Sequence, residues 1–132
     1  MLNIHSKLKS LEKLIGNTPL VEITCVYNGK EIKIYSKLEY YNYTGSIKDR
    51  MALHIIKKSY ENKELNPNDT IIEATSGNTG ISFSSIGTYL GHNVVIYMPD
   101  WMSDERKKLL RGFGSEINLV SKIGRASCRE RV

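Results

Sequence analysis

Residues 70–99, TIIEATSGNTGISFSSIGTYLGHNVVIYMP, contain two strand-like segments separated by one helix-like segment. The second strand-like segment, residues 94–98, is a continuous apolar run, which is typical of a strand buried on both faces. Between the two, apolar residues recur at helical spacing over residues 81–90, and Gly91 ends the predicted helix. A strand, a helix and another strand with short connections predict parallel strands joined by a right-handed crossover.

The same alternation continues on both sides of this stretch. Before it, a strand is predicted from residue 32 and a helix over residues 48–60; after it, Ser103 caps a predicted helix and a last strand begins at residue 117. From residue 31 onward the order is therefore β-α-β-α-β-α-β. We expect an α/β fold with an open parallel sheet and helices on both faces. Ligands of such sheets bind beyond the carboxyl ends of the strands.

The N-terminal segment differs from this pattern. It contains a predicted helix over residues 6–14, with Ser6 as its cap, and a short predicted strand over residues 20–23. We therefore divide the chain into residues 1–30, a helix and strand segment that would belong partly to a further domain, and residues 31–121, a small α/β domain.

The last stretch, residues 122–132, has no periodicity. It resembles, residue for residue, one reading-frame translation of a common sequencing adapter. We interpret it as a non-native read-through tail on a truncated frame. Without it the chain keeps a single cysteine, Cys25, which supports neither a disulfide framework nor a metal site.

Composition and charge argue against several classes of protein. Apolar residues make up 40% of the chain and charged residues 25%, as in an ordinary globular domain. Residues 122–132 hold four basic residues and one acidic residue of a chain with net charge +5, which leaves +2 for residues 1–121 and no basic patch for nucleic acid. We expect no membrane span and no secretory signal, and hence a cytoplasmic protein. His5, His54 and His92 lack metal-ligand spacing.

Two loops carry residues capable of chemistry, and each follows a predicted strand and opens a predicted helix. In the first, residues 42–48, Lys48 lies just inside the helix start, behind Gly45. Such a lysine could simply pair with Asp49 or Glu39. As a nucleophile it would have to be neutral, which requires desolvation or a nearby cation.

The second loop, residues 75–80, reads TSGNTG and combines hydroxyls, an amide and two glycines. A helix start of this kind directs N–H groups at an anion such as a carboxylate or phosphate. The alternative is an ordinary helix cap formed by Ser76 or Asn78. Because the carboxyl ends of parallel strands share one edge, we expect a lysine beside an anion-binding loop. A Schiff base between Lys48 and an aldehyde cofactor would explain that pairing.

Four stretches of the sequence are similar to one known enzyme family. They are Ile15-Gly16-Asn17-Thr18-Pro19-Leu20-Val21, KLEYYNYTGSIKDR at residues 37–50, Thr75-Ser76-Gly77-Asn78-Thr79-Gly80 and Met102-Ser103-Asp104-Glu105-Arg106. From about residue 14 to residue 120 the chain resembles the cysteine synthase and cystathionine β-synthase family. These are fold-type II pyridoxal-phosphate enzymes, and the predicted sheet corresponds to their smaller domain. The amino-acid sequence of residues 45–50 and 76–80 favours the synthase branch over the related threonine dehydratases.

The resemblance implies roles for individual residues. Lys48 would bond covalently to pyridoxal 5'-phosphate and later move the proton of the substrate Cα. Asn78 would hydrogen-bond the 3′-oxygen of the cofactor. The residues implied to hold the substrate carboxylate are Thr75, Ser76, Gly77 through its backbone, and Thr79.

The implied reaction is β-replacement, in which O-acetylserine exchanges acetate for sulfide and becomes L-cysteine. Replacement with homocysteine, as in cystathionine β-synthases, is the alternative within the family. The resemblance also implies a homodimer and places the loop that cradles the cofactor phosphate beyond residue 120. The chain is thus interpreted as an N-terminal fragment that binds the cofactor weakly alone. Outside enzymes, a non-catalytic anion-binding α/β module is the alternative.

Overall fold

The computed structural model describes residues 3–121, so the predicted tail lies outside the described residues. In chain order the elements are α1 (Ile4–Leu14), β1 (Leu20–Tyr27), β2 (Lys30–Lys37), a 3₁₀ turn (Glu39–Tyr41), α2 (Lys48–Glu61), β3 (Thr70–Ala74), α3 (Asn78–Leu90), β4 (Asn93–Pro99), α4 (Asp104–Gly112) and β5 (Glu116–Val120). No helix within residues 3–121 combines the length and the apolar character needed to cross a membrane.

Three strands form the predicted parallel sheet, in the order β3-β4-β5. On β4, Val94, Ile96 and Met98 are fully buried in a cluster with residues of α3 and α4. On the opposite face Val95 is also buried, whereas Tyr97 is 39% exposed. The predicted α/β class with an open parallel sheet flanked by helices is confirmed.

β1 and β2 form a separate antiparallel hairpin. Asn28 and Gly29 both have positive φ, 50° and 74°, as in the two-residue turns that reverse a chain. The expectation that the strand after residue 31 opens the parallel sheet is wrong, because a two-residue turn joins antiparallel neighbours. The predicted boundary between residues 30 and 31 falls inside this hairpin, and the division into domains stays a prediction.

α3 is the central helix of the packing. It contacts α1, α2 and α4 as well as β3 and β4. One apolar cluster joins α1, α2 and α3, and a second joins α3, β4 and α4. At Gly87 the helix lies so close to the sheet that an added Cβ would be 2.6 Å from Val94 Cγ2 and 3.2 Å from Ile71 Cδ1. The close approach of α3 to the sheet therefore requires a glycine at this position.

Three helix starts differ from the predictions. Ser103 occupies the predicted cap position of α4, but its side chain makes no capping hydrogen bond within residues 3–121. α1 begins at Ile4, and Asn3 Oδ1 accepts a hydrogen bond from the Ser6 N–H at 2.9 Å. Asn3 is therefore the N-cap of α1, and Ser6 supplies the N–H group that donates to it. α3 begins at Asn78, three residues earlier than predicted, because the extended backbone of the loop ends directly before it.

Candidate active site

Both predicted loops lead into helices that pack on each other. Lys48 is the first residue of α2, and Asn78 is the first residue of α3. The two helices are in contact along the core. The structure therefore places the lysine and the second loop on adjoining elements. The predicted reason, a shared edge of parallel strands, does not apply to the lysine loop, because β2 lies in the antiparallel hairpin.

The buried carboxylate of Asp49 joins these two helix starts. Its Oδ2 accepts from the Thr44 N–H at 2.6 Å, and its Oδ1 accepts from the Ser82 hydroxyl at 2.6 Å and from the Thr44 hydroxyl. Thr44 belongs to the loop before Lys48, and Ser82 lies one turn into α3. Because a buried charge requires such donors, one carboxylate holds the loop, α2 and α3 together.

The role of Ser82 is not predicted from the sequence, although the serines of α3 indicate it. Ser82, Ser84 and Ser85 are all buried on α3, at positions where a core helix would ordinarily carry apolar residues. Ser82 is bonded to Asp49, whereas Ser84 Oγ has no hydrogen-bond partner among the described residues. A run of serines in an otherwise apolar helix indicates a polar group on a neighbouring element.

A second polar network is centred on Glu39. Its carboxylate accepts from Arg50 Nε at 2.8 Å, from Arg50 Nη2 at 3.0 Å and from the Thr18 hydroxyl at 2.7 Å. The hydrogen bond from Arg50, followed by that from Thr18, lowers the pKa of Glu39 from 4.5 to about 2. Asn42 donates to Glu39 at 2.8 Å and accepts from the Gly16 N–H at 2.8 Å. The network ties the segment before β1 to the start of α2.

Lys48 projects from this framework with its side chain exposed. Within residues 3–121 no carboxylate forms an ion pair with it. Asp49 and Glu39, the partners that the sequence suggests, are bonded to other groups. The burial expected of a nucleophilic lysine is not found in the described part of the chain. A simple ion pair therefore does not account for Lys48.

The loop of residues 75–80 leaves the start of α3 open. Thr75 Oγ1 accepts from the Gly77 N–H at 3.3 Å within the loop. Gly77 occupies the cap position of α3, and no side chain of residues 3–121 caps the helix. Neither Ser76 nor Asn78 therefore acts as the alternative cap. The Gly80 N–H donates to the Gly77 carbonyl at 3.1 Å, which leaves the first two N–H groups of α3, those of Asn78 and Thr79, for an anion.

The physical reason for a glycine differs between positions 80 and 77 of this loop. A Cβ at Gly80 would lie 2.6 Å from Thr75 Cγ2, so α3 lies against the loop there. A Cβ at Gly77 would meet nothing within 4 Å, and its φ of −127° is open to every residue. Neither packing nor backbone conformation among the described residues requires glycine at position 77. A ligand that closely approaches the backbone would require it.

The other predicted site residues surround this helix start. Ser76 and Asn78 are exposed, and Thr75 and Thr79 are half-buried. All four lie within two residues of Gly77 in the sequence. No group of three or more His, Cys, Asp and Glu side chains within residues 3–121 is placed to hold a metal ion.

Comparison with known proteins identifies relatives of the chain. The profile of the family described as pyridoxal-phosphate dependent enzyme matches residues 11–132. Cysteine synthase B of Salmonella typhimurium is 44% identical over 115 residues, which are 87% of this chain and 38% of that protein. Cysteine synthase of Staphylococcus aureus is 42% identical over 111 residues, 84% of this chain and 36% of that protein. The chain thus spans about two fifths or less of the length of these curated relatives.

Solved structures have the same fold over most of the described chain. A hydrogen sulfide-producing enzyme from Fusobacterium nucleatum superposes with a TM-score of 0.85 and 57% identity, and the match covers 88% of this chain and 35% of that one. O-ureido-L-serine synthase superposes with a TM-score of 0.78 and 35% identity, covering 91% of this chain and 39% of that one.

Replacing Ser82 with alanine should destabilise the protein by about 1.5–3 kcal/mol, because the buried charge of Asp49 loses a donor. Ser84→Ala is the matched control, since Ser84 is equally buried on α3 and has no hydrogen-bond partner among residues 3–121. It should leave the free energy of unfolding unchanged or raise it. Urea unfolding measures both variants, and equal losses would contradict the anchoring role of Asp49.

The lowered pKa of Glu39 predicts a loss of stability in acid. A carboxyl group with a lower pKa in the folded state stabilises the fold above its unfolded value, 4.5, and this contribution is lost as the pH falls toward about 2. Glu39→Gln should lower the free energy of unfolding at pH 7 and flatten its decline between these two values. Urea unfolding at a series of pH values tests this.

Glu64→Gln, at an exposed loop position, is the control for loss of one negative charge. It should keep the acid dependence of the unmodified protein. A Glu39→Gln variant whose stability declines as steeply as that of the control would show that the Glu39 network does not stabilise the fold.

Proposed function

We propose a function from one premise: the chain belongs to the family of pyridoxal-phosphate dependent enzymes. The whole protein, on this proposal, catalyses β-replacement on an activated serine and forms L-cysteine from O-acetylserine and sulfide. One observation carries it: Lys48 and the loop of residues 75–80 lie at adjoining helix starts, joined by the 2.6 Å bond between Asp49 and Ser82. The 44% identity to a cysteine synthase supports sulfide as the nucleophile.

The residues at these helix starts fit pyridoxal phosphate by their chemistry. When bound, this cofactor supplies an aldehyde that reacts with amines and a ring that stabilises negative charge at the substrate Cα. Lys48 offers an amine that no carboxylate of residues 3–121 neutralises. Asn78 offers an exposed amide at the start of α3. We assign the covalent link to Lys48 and the hydrogen bond to the 3′-oxygen of the cofactor to Asn78.

We assign the substrate carboxylate to the loop of residues 75–79. Thr75, Ser76 and Thr79 supply hydroxyl donors, and the uncapped start of α3 supplies N–H groups and a partial positive charge. The open space beside Gly77 allows a carboxylate to approach the backbone closely. A substrate held in this way is fixed by its carboxylate and can vary in the group on its β-carbon.

Lys48 Nζ is also the group that we assign to the proton at the substrate Cα. An amine accepts a proton only when it is neutral, which requires desolvation or a nearby cation. Since Lys48 is exposed within the described chain, its desolvation has to come from bound ligands or from residues other than 3–121. Over the whole reaction acetate leaves the β-carbon, hydrosulfide bonds to it, and L-cysteine is released.

The remaining assignments concern the whole protein. We propose a cytoplasmic homodimer that acts on small amino-acid substrates. Homocysteine is the alternative acceptor, in which case the product is cystathionine. A non-catalytic anion-binding module is the alternative of another class, and it would leave Lys48 without a covalent role.

Reduction with borohydride should attach pyridoxal phosphate permanently to Lys48 in the whole protein. Lys48→Ala should lose this adduct and lose at least about 100-fold in kcat, the lower end of what a proton-transferring group contributes. Lys58→Ala, an exposed lysine in the last turn of the same helix, is the control and should keep both. Peptide mass spectrometry locates the adduct. An adduct on another lysine, or full activity in Lys48→Ala, would refute the assignment.

A second candidate is release of hydrogen sulfide, favoured by the 57% identity to a hydrogen sulfide-producing enzyme. The same site would then take a substrate in which sulfide is the leaving group. A sulfide electrode separates the two directions. We expect the whole protein to consume sulfide in the presence of O-acetylserine faster than it releases sulfide from L-cysteine. Faster release would favour the second candidate.

A further inference from the structure

Both polar groups of the peptide between Ser76 and Gly77 are hydrogen-bonded. Its carbonyl oxygen accepts a hydrogen bond from Nη1 of Arg106, in the first turn of α4. Its N–H donates to Thr75 Oγ1 at 3.3 Å. Because this peptide is trans, its carbonyl and N–H point in opposite directions, and the two bonds set its orientation.

The orientation of this peptide decides which charge the loop presents to an anion. An N–H group attracts a carboxylate, whereas a carbonyl oxygen repels it. The guanidinium of Arg106 keeps the Ser76 carbonyl on the side of α4 and the Gly77 N–H on the opposite side. The space beside Gly77, where an added Cβ would meet nothing within 4 Å, lies next to the same peptide.

Arg106 has no competing partner among the described residues. Within residues 3–121 it forms no ion pair, and the Asp104 carboxylate of the same helix pairs with Lys107 at 3.4 Å. A guanidinium has five N–H donors, so its bond to Ser76 leaves both charge and donors at this helix start. Arg106 therefore acts on the loop through a charge-assisted hydrogen bond to one carbonyl at the protein surface.

We propose that Arg106 is a positioning residue for substrate binding, which holds the Ser76 carbonyl on the side of α4 and so keeps this negative dipole end away from the start of α3, where the substrate carboxylate binds. The proposal rests on the function proposed above, and it assigns to α4 a role in recognition of the amino-acid substrate. Arg106 acts through the loop and not on the reacting atoms, so its loss should affect binding of the carboxylate substrate more than turnover.

Arg106→Met and Lys108→Met form the central comparison in the whole protein. Both remove one positive charge from α4, and both introduce a residue of similar helix propensity. Lys108 is exposed and makes no bond to the loop. Arg106→Met should raise KM for O-acetylserine about twofold to tenfold, as expected for loss of one hydrogen bond at the protein surface, with little change in kcat or in KM for sulfide. Lys108→Met should change none of them.

Arg106→Lys provides a rescue, because it keeps the positive charge and an N–H donor group on a flexible side chain. It should recover part of the lost affinity for O-acetylserine. Hydrogen exchange of the peptide that covers residues 75–80 gives a readout that does not depend on activity. Its amides should exchange faster in Arg106→Met and at the normal rate in Lys108→Met.

The two measurements separate this proposal from the function on which it rests. Equal KM values in Arg106→Met and Lys108→Met, or unchanged exchange in Arg106→Met, would overturn the role of Arg106 while leaving β-replacement intact. An unmodified protein that does not turn over O-acetylserine would overturn the proposed function. In that case hydrogen exchange alone tests whether Arg106 positions the loop of residues 75–80. Unchanged exchange in Arg106→Met would refute this role, and faster exchange would support it.

Discussion

The buried carboxylate of Asp49 is the constraint on which the candidate site depends. An isolated charge is unstable in a protein interior, so Asp49 requires donors wherever the fold buries it. The Thr44 N–H and the Ser82 hydroxyl supply them, both at 2.6 Å. These donors belong to different segments of the chain. Satisfying the charge therefore also positions the loop before α2 against α3.

Three consecutive residues at the start of α2 point in different directions, since successive helical residues are about 100° apart. Asp49 is bonded to α3, and Arg50 is bonded to Glu39 and to Thr18 in the segment before β1. Lys48 is left exposed. The two residues that follow Lys48 therefore hold the helix start against α3 and against the segment before β1, whereas Lys48 has no ion-pair partner within residues 3–121.

The order of helices and strands after residue 48 could be predicted because the periodicity of α3 and β4 is local in the sequence. The pairing of β2 could not be predicted from its alternation, which suits an antiparallel hairpin as well as a parallel sheet. The two-residue turn at Asn28 and Gly29 pairs β2 with β1 in an antiparallel hairpin. Residue types and their place after strands make both loops and Lys48 candidates for a site, and their roles stay a prediction. Ser82 was missed because its partner, Asp49, lies 33 residues away in the sequence.

A crystal structure of the whole protein with pyridoxal phosphate bound tests most directly whether Lys48 and the loop of residues 75–80 form one site. We expect continuous electron density between Lys48 Nζ and the cofactor, Asn78 within hydrogen-bonding distance of the cofactor ring, and Asp49 still bonded to Ser82. A cofactor bound to another lysine, or a cofactor on Lys48 that lies away from the loop of residues 75–80, would contradict this account.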